Sequence, residues 1–165
     1  MLFYRKLSLQ PVVESTLILI LLCVGCGGDE GAVDANGDFI IALTSGANGC
    51  EFENWQEGAT STGIPLSIVD QGAGVTATMG GAAVLFLDLL QGSHVFGGDL
   101  DGHTILLELT GTKQLDRNGC THLVNSTLEA ELDGDVLVGT VVYTTSPECP
   151  NLAGCESVQT FNGTR

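Results

Sequence analysis

The stretch "TLEAELDGDVLVGTVVY", residues 127–143, decides how the chain folds. Apolar and polar residues alternate on both sides of Asp133-Gly134. Asp-Gly between two alternating runs is the strongest short-range signal for a β-hairpin, because two-residue turns need backbone angles that glycine adopts freely. With Asp133-Gly134 as the turn, Leu132 opposes Asp135, Ala130 opposes Leu137, Leu128 opposes Gly139 and Val124 opposes Tyr143. Val124, Leu128, Ala130, Leu132, Leu137, Val141 and Tyr143 then share one face, and Glu129 and Glu131 the other. That pattern predicts a sheet with one buried side.

The same device recurs upstream. "GDLDGHTILL" (98–107) and "AELDGDVLVG" (130–139) share Leu-Asp-Gly followed by a variable pair and a branched residue. With Asp101-Gly102 as the turn, Phe96, Leu100, Ile105, Leu107 and Leu109 share a face, and His94 and His103 point inward with them. Gly80-Gly81 reads as a third turn. Strands are expected near 50–55, 65–70, 75–79, 83–90, 94–100, 103–110, 121–132, 135–144 and 157–162, the run "AAVLFLDLL" (82–90) being readable as a helix as well. The chain holds 23 glycines, which strands and turns tolerate better than helices do. The expected fold is all-β, an antiparallel up-and-down meander of eight or nine strands. Closure into a small barrel would remove exposed edges; an open β-sandwich is the alternative.

The N-terminus is a separate problem. Arg5 and Lys6 precede a nine-residue apolar run, Thr16–Val24. A bilayer span needs about 20 residues, so the run reads as a secretory signal. It ends in Cys23-Val24-Gly25-Cys26, which resembles the lipobox of bacterial lipoproteins, with Cys23 where leucine is usual. The resemblance implies removal of residues 1–25, diacylation of Cys26 and attachment to a lipid bilayer. It also favours the outer membrane in a Gram-negative host, since Gly27 is not the aspartate that marks inner-membrane retention. Two or more acyl chains are what stable anchoring takes. Residues 26–48, with Asp29, Glu30, Asp34 and Asp38, read as a lipidated N-terminus and acidic tether, and 49–165 as one β domain.

Cleavage before Cys26 leaves Cys50, Cys120, Cys149 and Cys155. An even count in an exported chain predicts two disulfides, with three possible connectivities; Cys149–Cys155 is the local pairing and Cys120–Cys149 is close by hairpin register. The cysteine spacing does not suit zinc. In a pure meander the Gly80, Asp101 and Asp133 turns fall at one end. The cysteines and the tether fall at the other, which would then face the membrane.

From Cys26 onward there are three bases and nineteen acids, a formal charge of −16. Such a body repels phosphate backbones, so nucleic acid is excluded as a partner. No nucleophile elbow, HExxH, P-loop or EF-hand loop occurs, and no enzymatic activity is expected. Asp99, Asp101, Asp133 and Asp135 would gather a calcium ion if their two loops converged. His94, His103 and Asp88 are the candidates for lining a cavity; Asp88 points outward if Leu85, Leu87 and Leu89 point inward. The domain is similar to lipocalin-like, calycin-type meander barrels in strand count and turns. That similarity implies binding of a small apolar ligand. An envelope interaction or structural module with no ligand is the other expectation, and the one ranked first, because no convergent polar site is visible.

Overall fold

The computed structural model describes residues 33–146 and 149–165; the signal, the lipobox-like segment and Cys26 lie outside them. The elements are β1 (Gly37–Asn48), β2 (Thr60–Asp70), β3 (Val75–Met79), α1 (Ala82–Leu90), β4 (Val95–Asp101), β5 (Thr104–Leu109), β6 (Leu115–Arg117), β7 (Cys120–His122), β8 (Val124–Asp133), β9 (Val136–Thr145) and β10 (Glu156–Thr164). Eight strands close into a barrel in the order β1-β10-β9-β8-β5-β4-β3-β2, every neighbour antiparallel. The pair β6–β7 is a separate hairpin inserted between β5 and β8. The expected all-β meander is therefore a closed barrel and not a sandwich.

The decisive stretch behaves as its alternation dictates. Val124, Leu128, Ala130, Leu132, Leu137, Val141 and Tyr143 are all buried, while Glu129 and Glu131 are exposed. The register differs from the sequence reading by two: Leu132 opposes Leu137 and Asp133 opposes Val136. The turn residues are thus Gly134 and Asp135, and only Gly134 has a positive φ, 59°. Glycine at the first central position is the chemistry of a type II′ turn, not of the type I′ turn implied by placing Asp first. Gly102-His103 repeats it, with Asp101 opposite Thr104. Because side chains alternate with period two, a slip of two keeps every residue on its face.

Three further expectations are corrected. Residues 37–48, read as tether, are the barrel's longest strand, with Phe39, Ile41 and Leu43 buried. Residues 50–55 are loop, and 82–90 are helix. These changes reverse part of the end assignment. The chain comes in at the end holding the 102–103 and 134–135 turns, and Gly80 lies at the other end with all four cysteines. One added strand before Cys50 carries the chain the length of the barrel.

The interior is filled by side chains from every barrel strand, among them Phe39, Ile41, Leu66, Ile68, Phe96, Ile105, Leu107, Leu128 and Leu132, all under 2 % exposed. Each stabilises the fold by roughly 1.5–3 kcal/mol relative to exposure. At the turn end Arg165 acts as a bolt. Its Nε donates to Asp135 Oδ1 (3.0 Å), Nη1 to the carbonyls of Asp34 (3.0 Å) and Asn36 (2.7 Å), and Nη2 to Gly134 O (3.0 Å). The guanidinium lies 5.4 Å from the Phe39 ring centroid. One side chain thus joins the incoming segment, the closing strand and the β8–β9 turn. Arg165→Ala is expected to lower unfolding free energy by about 1–2 kcal/mol, read from urea melts; no change would mean that solvent replaces these bonds without loss.

Candidate binding cup

In a closed meander, alternate connections emerge at alternate ends. Here all the long ones share an end: the 49–59 loop, the α1 segment, the β6–β7 hairpin and the 146–155 segment. Between them lies a cavity of about 570 Å³, walled by the first three and floored by Leu43, Ile64, Met79 and Tyr143.

Tyr143 on β9 is the hub of this cup. It is 1 % exposed, and its hydroxyl donates to Gln159 Oε1 at 2.8 Å. Gln159 in turn donates to Ser45 Oγ at 3.3 Å. Burial pushes the phenol far above its ordinary pKa, so Tyr143 is a fixed neutral donor. Three rings meet it nearly edge-on: Trp55 and Phe52 from the 49–59 loop, at centroid distances of 5.8 and 6.0 Å, and Phe86 from α1 at 5.7 Å. Edge-to-face contacts set the positive ring edge on the negative face and add about 0.5–1.5 kcal/mol each. Trp55 Nε1 donates to Gly46 O at 2.8 Å, which fixes the indole.

The rim is stapled. Cys50–Cys155 joins the 49–59 loop to the start of β10, and Cys120–Cys149 joins β7 to the segment after β9. This is one of the three connectivities that four cysteines allow, and it excludes the local Cys149–Cys155 pair. Arg117 of β6 donates Nη1 to Cys50 O at 2.8 Å and Nη2 to Glu51 Oε2 at 2.6 Å, tying the β6–β7 hairpin to the loop. Three non-glycine residues among those described have positive φ: Glu51 (52°), Asn54 (62°) and Asn118 (52°). All three lie in the two segments tied by Arg117. Such angles cost free energy in L-residues, and clusters of them mark sites that the surroundings hold in place.

The helix α1 covers one side. Its sequence, AAVLFLDLL, is apolar almost all round and rich in strong helix formers. Gly81 at its start has a φ of 61°, a conformation that lets the chain turn sharply out of β3. Only Leu87 is buried; Leu85 and Leu89 are 70 % and 64 % exposed. A helix apolar on every face is ordinarily enclosed, so this lid presents an unusual surface.

None of the sequence-derived cavity candidates lines the cup. Asp88 and His94 form a half-buried pair, Oδ1 to Nδ1 at 2.8 Å, between α1 and the segment before β4. The two-residue register shift puts His103 in a turn at the far end, its Nδ1 2.8 Å from Leu132 O. Asp99, Asp101, Asp133 and Asp135 are exposed at that far end. β5 separates β4 from β8, two strand spacings or about 10 Å, and Asp135 pairs with Arg165. Among the described residues no three His, Cys, Asp or Glu side chains lie close enough to hold a metal, so the calcium expectation is not supported by the geometry.

The sequence reading missed His122. It lies on β7, lines the cup and is 6 % exposed. Among the described residues two buried side-chain polar atoms lack a hydrogen-bond partner, Gln91 Oε1 and His122 Nδ1, and of these residues only His122 faces the cavity. The one sequence signal leading to it is Asn118-Gly119, the turn of the β6–β7 hairpin, where both residues have positive φ. No protein-family model, curated protein or solved structure matches the chain.

The hub assigns a contrast between two variants. Tyr143→Phe loses one hydrogen bond and should cost about 1 kcal/mol. Tyr143→Ala removes the ring on which three others rest and should cost about 3–5 kcal/mol. Equal losses in thermal melts would show that the rings do not lean on Tyr143.

Proposed function

We propose that the chain is an exported, membrane-anchored lipoprotein whose barrel binds a small, mainly apolar ligand in the cup. The observation that carries the binding half is the cavity itself: about 570 Å³, aromatic-walled, with a few polar groups at fixed positions. That size and lining match the general character of small-molecule sites. The two disulfides accord with an oxidising compartment. The lipobox-like Val24-Gly25-Cys26 supplies the anchor, in the outer membrane of a Gram-negative host. Val33, where the described chain begins, lies at the turn end and seven residues after Cys26. Fully extended, seven residues reach about 25 Å, so acyl chains on Cys26 would keep the domain close to the bilayer.

The second reading, an envelope interaction module, is favoured by the exposed Leu85 and Leu89 on the lid. Neither reading assigns a reaction to the protein.

Mass spectrometry of the mature protein tests the anchor. A diacylated Cys26 at the N-terminus is expected; an unmodified Cys26, or a chain still starting at Met1, overturns it. Trp55 is the only tryptophan and lines the cup, so its emission reports occupancy. Titration with a neutral naphthyl alcohol should give saturable quenching with a micromolar Kd. Phe86→Ala should weaken it about tenfold, the loss of roughly 1–2 kcal/mol of ring contact. No saturable change up to millimolar concentrations would remove the ligand reading.

A further inference from the structure

We infer that the cup selects a cationic ligand: a protonated amine on a small aromatic or aliphatic body. This deepens the ligand-binding reading and rests on it. Four observations converge. First, among the described residues the charged side chains lining the cavity are Glu51, Glu53, Asp116 and Arg117, three acids and one base. Second, that base is already committed: both Arg117 Nη atoms donate within the rim, to Cys50 O and to Glu51. An anionic head would therefore meet an arginine already paired with Glu51, and beside it Glu53 and Asp116, both exposed at the rim.

Third, the walls are aromatic. Phe52, Trp55, Phe86 and Tyr143 all border the cavity, and the negative faces of such rings attract ammonium groups. Fourth, His122 supplies a buried polar group that the fold leaves unused. A ring nitrogen that carries no proton has a lone pair able to accept from an N–H donor. The formal −16 of the chain from Cys26 onward acts at longer range, raising the local concentration of cations and lowering that of anions.

Three probes of one shape and different charge test the assignment: 1-naphthylmethylammonium, 1-naphthylmethanol and 1-naphthoate, titrated calorimetrically into the purified exported protein. The ammonium should bind at least tenfold tighter than the alcohol, and naphthoate weakest. Raising salt from low to physiological strength should narrow the ammonium's advantage, as for any interaction with exposed charges. The double change Glu53→Gln and Asp116→Asn should reduce the ammonium-to-alcohol ratio several-fold, and His122→Phe should reduce it as well. If the alcohol binds as tightly as the ammonium, or naphthoate binds tightest, the charge assignment falls while the cup stands as a binding site. If none of the three binds, the ligand reading itself falls.

Discussion

The pairing of β1 with β10 is the constraint on which the rest of the structure depends. It runs from Ile40 opposite Thr164 to Asn48 opposite Ser157 and turns an eight-strand ribbon into a barrel without edges. An open ribbon would leave two rows of unpaired backbone groups and a half-covered apolar face. Closure also fixes which connections share an end. The 102–103 and 134–135 turns need two residues each and fall at the end where the chain comes in. The longer connections fall together at the other end. The cup is thus a consequence of parity: four long segments with nowhere else to go crowd one mouth of the barrel, while the other is drawn shut by tight turns and Arg165.

Alternation made the barrel legible in the sequence. In β8 and β9 it named the buried face residue by residue, and an error of two in register did no harm because the sheet repeats every two residues. For the same reason, alternation alone could not place the turn. Asp-Gly and Gly-Asp fit the pattern equally, and the choice rests on which residue must hold a positive φ. The strand β1 is hidden in the sequence: Phe39–Leu43 (FIIAL) is an unbroken apolar run with no alternation to read, acids and glycines precede it and Ser-Gly-Ala-Asn closes it. The nine-residue run of α1 contains no period to read, since nearly all of it is apolar; its helix formers and bracketing glycines are the signal that outweighs strand propensity.

The cup was much less legible, for a physical reason. Its residues are scattered over the 49–59 loop, α1, the β6–β7 hairpin, β9 and β10, and only the closed fold brings them together. Histidines and acids at strand ends are visible in a linear reading and attract attention, yet His103 and the four turn aspartates sit at the wrong mouth. His122 lies in a three-residue strand too short to show alternation. Asn118-Gly119, which signals that hairpin, carries no hint that the strand after it lines a cavity. Tyr143 reads as core, and it is: the same ring that is buried under Trp55, Phe52 and Phe86 also borders the cavity.

The distribution of positive charge links the two ends. The described residues contain three bases, Lys113, Arg117 and Arg165. Arg165 bolts the turn end through three backbone carbonyls and one carboxylate, and Arg117 bolts the rim of the cup through one of each. A guanidinium suits this work because its donors fan out in a fixed plane and reach several acceptors at once. The consequence is electrostatic as well as structural. With its arginines consumed as fasteners, the domain offers almost no mobile positive charge to offset its acids, and the cup opens into a field of one sign. On the cationic-ligand proposal, the same use of the arginines that holds the barrel together also disfavours anions at the cup.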